Sequence, residues 1–110
     1  MTEYARRFGG IERLYGHDEA RKIQQLHLVV AGLGGVGSWA AEALARTGVG
    51  ALTLIDMDDI CLSNVNRQSH ALTNTVGRLK TEVLAERLHE INPEINLTIV
   101  DDFIRAEEPA

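Results

Sequence analysis

The 110-residue chain contains one cysteine, Cys61, so no disulfide can form within it. That scarcity points to a reducing, cytoplasmic setting. No apolar run approaches the roughly 20 residues that cross a bilayer. Met1 to Gly10 carries charges where a signal peptide has an apolar segment. A basic excess is missing too. The 11 Lys and Arg stand against 16 Asp and Glu, a formal net charge of -5. That balance argues against a broad basic face gripping nucleic acid through these residues alone. His17, His27, His70 and His89 lack metal-ligand spacing and read as surface or structural residues. There is no internal repeat and no low-complexity tract. What remains is a globular composition, 45% hydrophobic and 25% charged, at a length that suits one small domain or part of a larger one.

The most informative stretch runs from Leu28 to Ala45. An apolar segment, Leu28-Val29-Val30-Ala31, leads into Gly32-Leu33-Gly34-Gly35-Val36-Gly37, and a helical pattern follows from Ser38. Glycine lets the backbone turn tightly and approach a ligand closely. Exposed N–H groups and the positive end of the helix then face an anion. Two ligand readings arise from the loop. One is a dinucleotide, NAD or FAD, with Asp56 taking the ribose hydroxyls; Asp56 lies 19 residues beyond Gly37. The other is a nucleoside triphosphate. A tight turn without any ligand is the bland alternative.

The rest of the chain places this loop. Tyr4 to Gln25 reads as charged surface helices, broken at Gly9-Gly10 and at Gly16, with Asp18 as N-cap of the second piece. They are expected to cover one end of a sheet. His27 to Ala31 is the first strand, apolar as if helices covered both its faces. Val36 to Thr47 is the first crossover helix, with Val36, Ala40, Ala43 and Leu44 on one side, and Gly48 suits a left-handed cap. Ala51 to Ile55 is the second strand. Met57 to Thr75 is a long connection rich in Asp, Asn and Ser, a length usually kept for function. Arg78 to Asn92 is the second helix, with a stripe of Val83, Leu84, Leu88 and Ile91, ended by Pro93. Ile95 to Val100 reads as a buried third strand. The order β-α-β-α-β predicts an α/β fold, half of a Rossmann-like doubly wound parallel sheet with right-handed crossovers. Residues 1–26 form a helical extension and residues 27–110 the nucleotide-binding part. A sheet of three strands would leave both edges exposed. With the acidic tail Arg105 to Ala110 following, the segment is expected to be the N-terminal part of a longer protein, truncated on its C-terminal side.

The long connection decides between the ligands. It contains Asp56, Asp58, Asp59, Asn64, Asn66, Arg67 and Gln68, and Lys80 opens the next helix. A pyrophosphate bridge carries about two negative charges, which a helix end and glycine amides can hold. A nucleoside triphosphate carries roughly four and calls for fixed cations. Arg67 offers a planar fork for two phosphate oxygens and Lys80 a mobile point charge. The alternatives are a salt bridge from Arg67 to Asp58 or Asp59, a solvated position for Lys80, and turn-making side chains for Asn64 and Asn66. Trp39 is expected to pack at the helix base, and Cys61 to be a small loop residue.

Taken together, the G-x-G-G-x-G loop, Asp56-x-Asp58, Ser63-Asn64-Val65-Asn66-Arg67-Gln68 and Val76-Gly77-x-x-Lys80 resemble the ATP-dependent adenylating domain of the ubiquitin-activating family. Bacterial members of that family activate the carboxyl ends of ThiS- and MoaD-like sulfur carriers. The likeness runs from about Arg7 to Phe103. Arg7-Phe8-Gly9-Gly10, Arg13-Leu14-Tyr15-Gly16, Gly35 to Arg46 and Leu54 to Asp59 look most like the branch that dehydrates threonylcarbamoyladenosine in tRNA. The resemblance implies that Gly32, Gly34, Gly35 and Gly37 cradle phosphate and that Asp56 and Asp58 lie at the ribose and adenosine side. It implies that Asn64, Arg67 and Lys80 contact the triphosphate and that Gln68 supports the loop. Arg67 and Lys80 would be the catalytic pair, stabilising charge as a substrate carboxylate attacks the α-phosphate and pyrophosphate leaves. ATP and Mg2+ are the implied cofactors, with the metal-binding aspartate expected beyond residue 110. The implied partners are tRNA or a sulfur-carrier protein, a second copy in a homodimer, and a cysteine-desulfurase system. The sequence departs from the sulfur-carrier members at Gly10, where they carry an arginine that reaches into the partner subunit's site; Arg13 lies one helical turn further on.

Overall fold

Three five-residue strands form the sheet: β1 (His27–Ala31), β2 (Ala51–Ile55) and β3 (Asn96–Val100). In this computed structural model, which describes residues 2–102, they are all parallel and lie in the order β1-β2-β3. Phe103, Ile104 and the tail Arg105 to Ala110 lie outside the described residues. The α/β reading holds, and helices α3 (Gly37–Arg46) and α4 (Lys80–Ile91) are its two crossovers.

Both crossovers step the same way along the sheet. Right-handed connections therefore put both helices on one face. Leu28, Val30, Leu52, Leu54 and Leu97 turn toward them and join the core with Leu84, Leu88 and Ile95. The alternate residues point away, and Val29 and Val100 are exposed. On that side the ring of His27 hydrogen-bonds the hydroxyl of Thr53 at 2.7 Å. This corrects two expectations. β1 is not covered on both faces, and β3 is an exposed edge strand rather than a buried one. A continuous apolar run cannot say which of its faces finds a partner.

The buried side of α3 also differs from the expectation. Ser38, Ala41, Glu42 and Ala45 are buried, whereas Val36 is exposed. Small residues at helical spacing let α3 approach the sheet closely. Glu42 faces α4, where its carboxylate meets Arg87 Nε at 2.5 Å and Arg46 Nε at 3.2 Å. An ion pair, invisible to an apolar count, sets the rotation of the helix. The stripe on α4 is as expected, with Val83, Leu84 and Leu88 buried and Ile91 packed against the core.

Two more helices, α1 (Glu3–Tyr15) and α2 (His17–Gln24), cover the amino ends of the strands. Tyr4 donates its hydroxyl to the Gly48 carbonyl at 2.6 Å, and Arg7 reaches the Ile91 carbonyl. Gly48 has φ +94, the left-handed value expected of it, and a Cβ there would lie 2.8 Å from the Tyr4 oxygen. The expected break at Gly9-Gly10 is instead a kink at Phe8, whose buried ring anchors α1. Gly16, at φ 91, caps α2 in place of Asp18. Asp18 sits in the first turn, where a carboxylate favours the positive helix end. No helix among the described residues is long and apolar enough to cross a membrane.

Arg87, foremost, holds the Glu42 carboxyl below its ordinary value of 4.5. With the folded value the lower one, the stabilisation is complete above about pH 4.5 and is lost as pH falls through the folded value. Glu42→Gln is expected to cost about 1–3 kcal/mol at pH 7 and to flatten the acid limb of the stability curve. Urea unfolding of both proteins across that range checks the slope.

Candidate functional site

The site is built at the carboxyl ends of β1 and β2. Gly32 leaves β1 with φ +86, and its N–H still donates to the Ile55 carbonyl at 2.8 Å. Leu33 drops its side chain into the core, and its N–H donates to Asp56 Oδ2 at 2.7 Å. The chain then folds back on itself. A Cβ on Gly37 would lie 1.7 Å from the Gly32 carbonyl oxygen, so only glycine fits. Among the described residues, the amides of Gly34, Gly35, Val36 and Gly37 find no acceptor in the chain. They open onto the same space as the N-terminus of α3, a ready anion site.

Asp56 is engaged on both oxygens. Besides Leu33, it accepts from the Asp58 N–H at 2.8 Å. Asp58 is exposed, and with Asp56, Gly32, Ile55 and Asp102 it lines an open pocket beside the loop. Carboxylates there suit hydroxyl groups and repel phosphate.

The long connection contains a 3₁₀ turn, Leu62–Asn66. Asn64 organises it. Its buried side chain accepts from the Cys61 N–H at 2.8 Å, and its carbonyl accepts from the amides of Arg67 and Gln68. Here Asn64 acts as a turn-maker. Arg67 lies on the glycine loop, with Cγ and Cδ 3.6 Å from where a Gly35 Cβ would stand. Among the described residues its guanidinium donates only to neutral oxygens, Asn66 Oδ1 at 2.9 Å and the Ser63 carbonyl at 3.3 Å. It makes no ion pair with Asp58 or Asp59 among the described residues. Gln68 is buried beside Gly34, and its Oε1 has no partner among the described residues.

Lys80 begins α4 and is only 7% exposed, so it is not the solvated position that was the alternative. It forms no ion pair among the described residues. A lysine with a largely buried stem and no carboxylate partner, at the positive end of a helix, is electrostatically unfavourable. An anionic ligand resolves that cost.

Sequence reasoning missed the stitching that joins Arg67 to the loop. Trp39 is half exposed rather than packed at the helix base, and its indole N–H donates to the Arg67 carbonyl at 2.7 Å. Ser69 donates two hydrogen bonds to Ser38, from its N–H to Oγ and from its hydroxyl to the carbonyl. His70 is fully buried, and its Nε2 meets the Leu33 carbonyl at 2.7 Å. Ser69 and His70 lie in irregular backbone, where no periodicity marks them. Their nearness to Arg67 is the one signal the sequence offers. Arg13 sits near Gly9 and Gly10 on α1, at the far end of the sheet from this site. Cys61 is exposed and free. No group of three or more metal-ligating side chains occurs among the described residues.

Comparison with known proteins adds a lineage to this geometry. The model of the ThiF family matches residues 4–110. The tRNA threonylcarbamoyladenosine dehydratase of Haemophilus influenzae is 59% identical over 107 residues, which cover 97% of this chain and 41% of that protein. The sulfur carrier protein ThiS adenylyltransferase of Escherichia coli is 40% identical over 90 residues, 82% of this chain and 36% of that protein. Among solved structures, the Escherichia coli tRNA N6-threonylcarbamoyladenosine dehydratase, TcdA, in complex with ATP has a TM-score of 0.93 and 58% identity, covering 94% of this chain and 43% of that one. The chain thus spans about two fifths of the length of the dehydratase it matches.

The loop geometry separates two glycines. Gly37→Ala drives a methyl into a backbone carbonyl and is expected to cost more than about 2 kcal/mol. Gly35→Ala meets only the flexible Arg67 side chain and is expected to cost under about 1 kcal/mol. Thermal and denaturant unfolding of the two variants measures the difference.

Proposed function

We propose, from the premise that this chain belongs to the ThiF family, that it is the nucleotide-binding part of a tRNA threonylcarbamoyladenosine dehydratase. The observation that carries the reading is a glycine loop with four unpaired amides together with Lys80, which is largely buried and makes no ion pair among the described residues. The identity of 59% to a dehydratase, against 40% to a sulfur-carrier adenylyltransferase, supports tRNA over a carrier protein as substrate. The ATP complex of the TcdA neighbour supports ATP over NAD.

In this reading Gly32, Gly34, Gly35 and Gly37 shape the phosphate cradle, and the ribose lies toward Asp56 and Asp58. Arg67 and Lys80 hold the polyphosphate, and Asn64 and Gln68 keep the Arg67 segment in place. The threonyl carboxylate of N6-threonylcarbamoyladenosine attacks the α-phosphate. An acyl–O–P bond forms and the bond to the leaving pyrophosphate breaks; the carbamoyl group then attacks the activated carbonyl, expelling AMP with the former carboxylate oxygen, so that the substrate closes into a ring with net loss of water. Arg67 and Lys80 stabilise the charge that develops, and no protein nucleophile is needed. Mg2+ accompanies ATP, and the enzyme works in the cytoplasm as a homodimer alongside a cysteine-desulfurase system. The acidic balance of these residues leaves the basic tRNA-docking surface to other parts of the protein or to the second copy.

The test uses the intact protein. Pyrophosphate release is expected to rise with modified tRNA and not with a sulfur carrier. Arg67→Ala and Lys80→Met are each expected to lower kcat/KM for ATP by about 10²- to 10³-fold. Lys80→Met should leave the unfolding midpoint of the nucleotide-free protein unchanged or raise it, since it removes an unpaired charge from the positive end of a helix and keeps the buried stem. Calorimetry showing NAD bound more tightly than ATP would overturn the reading.

A further inference from the structure

His70 is the one fully buried ionisable side chain at the site that the proposed chemistry leaves unused. Its partner settles its proton. A carbonyl offers only lone pairs, so at 2.7 Å from Leu33 O the Nε2 atom must carry hydrogen. Nδ1 is buried with no partner among the described residues. Burial, above all, and then the nearby Lys80 charge hold the imidazole below its ordinary value of 6.5, against the opposing pull of the Leu33 bond and Asp56. The ring is a neutral, one-sided donor.

Its target matters because of what else grips Leu33. The N–H of that residue is held by Asp56 Oδ2, and its side chain is fully buried in the core. With His70 on the carbonyl, every bonding group of Leu33 is fixed. The amides of Gly34 and Gly35 follow directly. We infer that His70 is a positioning residue for nucleotide binding: its Nε2–H clamps the Leu33 carbonyl and so aims the glycine-loop amides at the phosphates. The clamp also ties the Arg67 segment to the loop, since His70 lies three residues beyond Arg67. This inference rests on the ATP reading above.

Asparagine and glutamine separate reach from polarity. Glutamine places an amide nitrogen near the position of Nε2, whereas asparagine stops one carbon short. In the intact protein, His70→Asn is expected to raise the Kd and KM for ATP about tenfold, with kcat changed far less than KM. His70→Gln is expected to restore affinity to within about threefold of the natural protein. Equal loss in both variants, or a loss in kcat alone, overturns the clamp and marks the ring as a proton carrier or a mere space-filler. Affinity unchanged in His70→Asn overturns it too. Arg67→Ala runs beside them. If it leaves ATP binding intact, the nucleotide reading itself fails. If it weakens binding while His70→Asn does not, only the clamp is lost.

Discussion

The carbonyl oxygen of Gly32 lies where a side chain on Gly37 would begin, and the carboxyl end of the sheet is arranged around that approach. Bringing two backbone segments so close turns the chain from β1 into α3 within a few residues. It leaves the amides of residues 34–37 facing outward, unpaired, at the positive end of a helix. Leu33 is held from three sides at once. The loop is therefore rigid before any ligand arrives, and prepositioned donors need no reorganisation when charge develops.

Some cations away from the site are matched by carboxylates. Arg87 and Arg46 meet Glu42, and Arg78 meets Glu82 and Glu86. At the site they are not. Arg67 is held by neutral oxygens and Lys80 is buried without a carboxylate, although the chain as a whole is acidic. The Asp56 carboxylate is occupied by backbone N–H groups instead of by these cations. Withheld counterions are the charge pattern of a binding site, since the ligand supplies the missing half.

Much of this was legible beforehand where the code is local. Glycine spacing marked the turn, the apolar runs marked three strands, and the stripe on α4 marked its buried face. The sequence could not show which sheet face would be covered, because that depends on both crossovers stepping the same way. It could not show the rotation of α3, because Glu42 answers to Arg87, distant in the chain. At the site, Arg67 and Lys80 were found through their charge. Trp39, Ser69 and His70 were not, because their roles come from contacts across the irregular connection, and Asn64 is seen only as a turn-maker.

The bond from Trp39 to the Arg67 carbonyl has an optical consequence. Trp39 is the single tryptophan, and it is half exposed. Its indole emission reads the polarity around that ring and the strength of that bond. The chain thus carries a native fluorophore wired to the backbone of the arginine that bears on the loop, and a shift of that segment is written directly into the colour of its emitted light.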